Sequence, residues 1–149
     1  NALANNRVLV EKWTSGNGWQ LYYRGSSGNS IAFYVNSSVL LQDPSPTTIA
    51  LNTWYHIAFT KSLNVARLYI NGVEKDNAPL TSSLTNTLPL VVGAQLSTSS
   101  SYLNGNIDDL RITRGVARYP SQPFPTAALP NTSAGDPNFN NVSLLLQGI

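Results

Sequence analysis

Residues 54–73, WYHIAFTKSLNVARLYINGV, alternate with a period of two across two runs, 54–60 and 65–71, separated by the polar stretch Lys61-Ser62-Leu63-Asn64. Period-two alternation places neighbours on opposite faces of an extended chain, so each run reads as a strand and the pair as a hairpin. In the second run Ala66, Leu68 and Ile70 share one face and Arg67, Tyr69 and Asn71 the other, as a strand with one dry side requires. The first run is apolar on both faces, with Tyr55, Ile57 and Phe59 opposite Trp54, His56 and Ala58, which predicts a central strand. Asn71-Gly72 supplies the two positive-φ residues of a type I′ turn, after which Val73-Glu74-Lys75 returns as a further strand. The middle of the chain is therefore expected to be an antiparallel meander.

The same pattern extends outward. Strand-like runs occupy residues 7–13, 19–24, 31–35, 39–42, 88–93 and 107–113, divided by turn clusters such as Ser15-Gly16-Asn17-Gly18 and Gly25-Ser26-Ser27-Gly28-Asn29. Pro44 and Pro46 lack a backbone donor and break the ladder after residue 42. Leu90-Val91-Val92 reads as a buried strand, residues 97–101 as a polar loop, residues 115–119 as one short helical turn, and residues 120–130 as a proline-rich extended arm. No segment carries sustained helical periodicity with caps at both ends, so the class is all-β. Two antiparallel sheets packed face to face, a sandwich or jelly roll, would cover the apolar faces. Its core is expected to include Ile57, Phe59, Leu68, Ile70, Val91, Ile107 and Leu110.

With 149 residues the chain can bury a core without staples, and it has no Cys to make a disulfide. A net charge of +2 with only 11% charged residues predicts no electrostatic capture of nucleic acid. The trio Arg111, Arg114 and Arg118 is expected to be solvated or salt-bridged rather than to track phosphates. No apolar run approaches the roughly 20 residues that span a bilayer. The chain lacks Met and opens on Asn1 in what reads as mid-domain sequence, so a piece of a longer protein is expected.

Three pieces taken together, Trp54-Tyr55-His56-Ile57-Ala58, Leu68-Tyr69-Ile70-Asn71-Gly72 and LNGNIDDLRI at residues 103–112, resemble the laminin G-like, or concanavalin A-like, jelly-roll family. Arg114-Gly115-Val116-Ala117-Arg118-Tyr119, followed by Phe124 and Pro125, is similar to the ending of such domains in tailed-phage virion proteins. The resemblance implies a jelly-roll domain over residues 1–130 and, over 131–149, a proline- and asparagine-rich arm with one more strand. Residues 136–146 resemble the opening strand of such a domain, yet stand at the C-terminal end, while the opening strand is missing before Val8. Two arrangements follow from this rotated order. The chain is a window cut from a tandem array, or its last strand folds back, onto its own sandwich or onto an adjacent copy by strand exchange.

Glucanases of this fold cut glycosidic bonds with closely spaced carboxylates on one strand. The seven carboxylates here are Glu11, Asp43, Glu74, Asp76, Asp108, Asp109 and Asp136, and they do not form the Glu-x-Asp-x-x-Glu arrangement. Asp108 and Asp109 are expected on opposite faces of a strand, whereas Glu74 and Asp76 share a face but are expected to be exposed. His56, the one His, reads as a structural, hydrogen-bonded residue. No enzyme and no catalytic residue are expected. Asp43, Asp76 and Asp108 are the donors to try for calcium, but Ca²⁺ takes six to eight oxygens and no dense acidic loop exists, so no metal or other cofactor is expected. Sugar stacking would fall to Trp13, Trp19, Tyr23 and Tyr102 beside Asn17, Asn29 and Asn104, and Trp19, Tyr23, Tyr102 and Asn104 form the expected ligand set. These features point to a non-enzymatic structural or adhesive module of a virion or extracellular surface fibre. Its partners would be other virion or fibre proteins or cell-surface glycans, with a carbohydrate-binding lectin domain appended to a glycoside hydrolase or other secreted protein as the alternative.

Overall fold

A computed structural model of the protein describes residues 5–26, 28–44, 49–97, 101–119, 126 and 130–147. Ten strands fill the described residues, joined by one 3-10 turn at Phe139–Asn141, and every ladder is antiparallel. The all-β sandwich expected from alternation is what the chain forms. One sheet has five strands: β1 (Arg7–Thr14), β2 (Asn17–Arg24), β3 (Ser30–Val35), β4 (Ser38–Gln42) and β8 (Val91–Val92), in the order β4-β3-β2-β1-β8. A second holds β5 (Ile57–Ser62), β6 (Val65–Ile70) and β7 (Val73–Pro79) in sequence order. A third pairs β9 (Leu110–Thr113) with β10 (Val142–Leu146).

The core lies between the first two sheets. Tyr23, Ile31, Phe33 and Leu41 on one side meet Ala66, Leu68 and Ile70 on the other, and Leu80 closes the end. Phe33 and Phe59 stack with ring centroids 3.6 Å apart, which ties β3 to β5 across the interface. The outer face of the five-stranded sheet is also covered. There Val8, Tyr22 and Ala32 are buried, and the Glu11 carboxylate accepts from the Gln20 amide at 2.6 Å and from the Leu96 backbone N–H at 2.8 Å. Those two bonds hold the chain that follows β8 across β1, so a buried acid acts as an anchor for a loop.

Several expectations need correction. The run 54–60 becomes a strand only from Ile57, and β5 is an edge strand, with β6 in the centre. Tyr69, placed by alternation on the wet face of β6, is fully buried, and its hydroxyl donates to the carbonyl of Tyr119, at the end of residues 115–119, at 3.1 Å. Those residues form no helical turn. The expected strand at 88–93 shrinks to two residues at a sheet edge, and the one at 107–113 begins only at Leu110, since Asp109 takes a φ of 47° that extended chain does not allow. Leu68 and Ile70 are core residues as expected, and Ile57 and Phe59 pack against the core, but Val91, Ile107 and Leu110 are half-buried outside it. In β7, Glu74 pairs with Tyr69 and Asp76 with Leu68, so a bulge at Lys75 sends the two acids to opposite faces instead of the shared face expected. The Asn71-Gly72 turn forms as predicted, with φ values of 51° and 78°. Residues 45–48, 98–100 and most of the 120–130 arm lie outside the described residues.

Candidate functional site

Residues 50–56 make a hook before β5. Asn52 takes a φ of 56°, the Thr53 hydroxyl donates to the Leu51 carbonyl, and the Ala50 N–H donates to the Tyr55 hydroxyl at 3.0 Å. The hook is fastened to the β6–β7 turn because the His56 N–H donates to Asn71 Oδ1 and the Asn71 N–H donates to the His56 carbonyl. Tyr55 points inward against the core, and its neighbour Trp54 therefore points out, with 67% of its surface exposed.

Trp54 stands on an open cleft of about 1630 Å³. Its apolar wall is the inner face of β1, β2 and β3 through Leu9, Leu21 and Phe33, and its other wall is made by residues 49–63 and 103–119. Amide side chains of Asn52, Asn104 and Asn106 lie along the same cleft. An indole face beside amide donors and acceptors is the chemistry that recognises a polyhydroxylated ring, apolar on one face and hydrogen-bonding at its edge.

The sequence-derived ligand set is only partly gathered here. Trp19, Tyr23 and Asn104 line the cleft. Trp19 is half-buried, and its ring lies 5.9 Å from that of Phe33, so it belongs to a row of stacked rings leading into the core. Its edge also touches a small polar recess formed with Asn17, Asn36, Ser83 and Asn86. Tyr23 is a core residue whose hydroxyl donates to Asn29 Oδ1 at 2.8 Å, and burial raises its pKa. Its faces are not open for stacking. Tyr102 is 56% exposed but lies outside the cleft lining. Trp54, absent from that set, is the most exposed tryptophan among the described residues. The only signal for it in the sequence was the Asn52-Thr53 turn pair directly before it.

The ionisable groups are engaged in building the fold. Asp136 is buried at 3% exposure and receives both guanidinium nitrogens of Arg118, at 2.9 and 2.7 Å, and one of Arg111, at 3.0 Å. Hydrogen bonding from Arg118 holds its carboxyl below the usual range, against the opposing effect of burial. Arg111 and Arg118 thus meet the salt-bridged expectation, and Arg114 is exposed. Burial lowers the His56 pKa, with Asp109 pulling the other way, so the ring that lies edge-on to Tyr119 is neutral at pH 7. Of the calcium candidates, Asp76 accepts from the Gln42 N–H, Asp108 accepts from the Asp109 N–H, and Asp43 is buried beside β3. No three His, Asp or Glu side chains converge among the described residues as a metal centre would need. No helix among the described residues is long and apolar enough to cross a membrane.

The family profile described as Laminin_G_3, Concanavalin A-like lectin/glucanases superfamily, matches residues 1–118, and the chain belongs to this family. No curated protein matches it. Among solved structures, a crystal structure of an S-layer domain-containing protein (residues 221–444) from Clostridium thermocellum is similar, at 24% identity and a TM-score of 0.40. The similarity covers 74% of this chain, which spans 58% of that structure's length.

Proposed function

We propose that this member of the concanavalin A-like superfamily is a non-catalytic, metal-independent binding module of an extracellular or virion surface fibre, and that it takes glycans at the cleft beside Trp54. The observation that carries this reading is the exposed indole of Trp54 on a cleft that also presents Asn52, Asn104 and Asn106. An exposed tryptophan costs the folded chain solvent contact with apolar surface, and a sugar face would remove that contact. Non-catalytic binding is supported by the carboxylates. Asp109 is paired with Arg111, Asp136 with two arginines, Glu74 with Arg67, and Glu11, Asp76 and Asp108 accept backbone N–H bonds.

The test is a glycan array followed by calorimetry on the best ligand, with wild type, Trp54→Ala and Asn104→Ala. Binding in the micromolar to millimolar range that falls at least about tenfold in Trp54→Ala, or about 1.4 kcal/mol, with an unchanged melting temperature, is the expected result. Equal binding by wild type and Trp54→Ala would refute the site. Release of reducing ends from the bound glycan would refute the non-catalytic reading.

A further inference from the structure

We propose that residues 130–147 form an exchangeable plug, and that the partner it fits is the β9 socket of a second copy of this chain. Among the described residues, the ladder, side-chain bonds and ion pairs that tie this segment to the sandwich fall on one short stretch, residues 110–118. The β10 ladder is made with β9, through Val142 opposite Thr113, Leu144 opposite Ile112, Leu145 opposite Arg111 and Leu146 opposite Leu110. Ahead of it, Arg118 and Arg111 hold Asp136, Arg118 also donates to the Asn138 carbonyl, and Arg111 donates to the Pro130 carbonyl. Between the two, the Arg114 N–H donates to the Asn141 carbonyl, and the Asn141 amide donates back to the Arg114 carbonyl. The two strands form a separate sheet. A segment tied in this way to one short receptor can leave without unravelling the sandwich behind it, which is the condition for strand exchange.

The chemistry of the socket selects the partner. When the plug leaves, Arg118 loses its carboxylate, Arg111 keeps only Asp109 at 3.5 Å, and the β9 edge loses its ladder. Two guanidinium groups left with one carboxylate, beside an unpaired strand edge, favour a strand that carries an acid six residues before its first ladder residue, as Asp136 stands before Val142. A second copy offers that strand with the same register. The 11 residues numbered 119–129, which join socket to plug, reach at most about 40 Å, so a neighbour must stand within that distance. The same tether keeps the home plug at a local concentration on the order of millimolar, so exchange is slow in dilute solution and grows where copies are crowded.

The absence of Cys allows a direct test with two single-cysteine chains, Ile112→Cys and Leu144→Cys, which face each other across the ladder. First, the double variant in one chain is oxidised; an intramolecular disulfide confirms the register, and its failure overturns the proposal. The two single variants are then mixed in native buffer with glutathione disulfide and followed on non-reducing gels for a species of twice the 16.1 kDa chain mass. The mixed pair is expected to crosslink at least about tenfold faster than Ile112→Cys mixed with Leu63→Cys, whose cysteine sits on an exposed turn. Adding Arg118→Ala to the Leu144→Cys chain weakens its own socket while leaving the recipient's intact, and should speed the crosslink further. A mixed pair no faster than the control overturns the proposal, whether or not the Arg118→Ala chain folds.

Discussion

Leu68→Ala is the sharpest test of the sandwich, because Leu68 is fully buried at the centre of β6, with Phe59 opposite it on β5 and Asp76 on β7. Truncation removes three carbons, worth about 0.8 kcal/mol each, or about 2.4 kcal/mol of lost transfer free energy. The ladders on both sides and the Phe33–Phe59 stack above fix the walls, so the site cannot collapse and a cavity term adds to the loss. The total should be about 3–4 kcal/mol, within the range of about 2–5 seen for buried leucines. For a domain of this size each kcal/mol moves the melting temperature by about 2–4 °C, so a fall of about 6–16 °C is expected. Urea unfolding at pH 7 should show a lower midpoint with the slope unchanged, since the surface exposed on unfolding hardly differs. Leu63→Ala, at a turn position 91% exposed, serves as the control and should stay within about 0.5 kcal/mol. A loss below about 1 kcal/mol for Leu68→Ala, or equal losses for both, would mean that β6 does not bury the face assigned to it.

Glu11→Ala leaves the Gln20 amide and the Leu96 N–H without their acceptor on a covered face, and should cost about 2–4 kcal/mol in the same urea assay. Glu11→Gln, which keeps an acceptor, should recover part of that. Asp136→Asn should destabilise the chain at neutral pH but not in acid. The folded-state pKa of Asp136 is depressed, so its contribution is fully present above the ordinary carboxylate pKa of about 3.9 and is lost as pH falls through the lower folded value. Stability curves of wild type and Asp136→Asn should therefore converge at low pH, and a constant gap across the acid range would count against the Arg118 clamp.

Alternation revealed the strands but not their neighbours. Residues 54–60 are apolar on both faces, which reads as a central strand, yet Trp54 and Tyr55 belong to a hook whose one aromatic faces the core and the other solvent. The Asn71-Gly72 turn was legible because positive φ is a local property of those two residues. The bulge at Lys75 was not, because nothing in Val73-Glu74-Lys75-Asp76 differs from a regular strand, and the slip shows only in the pairing with β6. The same reason divides the aromatics. Tyr23 and Tyr102 are alike as residues, but Tyr23 lies opposite Ile31 in a covered ladder while Tyr102 lies outside any strand, between Ser101 and Leu103, which bond to Val8 and Gly93. Burial of a single aromatic is decided by sheet order, which a period of two does not encode.

The edge that receives the last strand, though not the copy it belongs to, can be read from charge rather than from alternation. Val142, Leu144 and Leu146 form a row that would suit any sheet edge, so periodicity alone does not choose the edge. The final 40 residues, however, contain only four charged side chains, Arg111, Arg114, Arg118 and Asp136. If Asp136 is to be buried it must find a cation, and within that stretch the only cations stand at 111, 114 and 118, on and just after the β9 segment. Pairing Asp136 there brings residues 142–146, which follow the 3-10 turn at Phe139–Asn141, to β9, where the ladder is antiparallel. The arginine trio that a scan for nucleic-acid binding first singles out is thus two-thirds of a docking device. That division of labour explains why Arg114 alone is exposed: its backbone, and not its guanidinium, is the part that Asn141 holds.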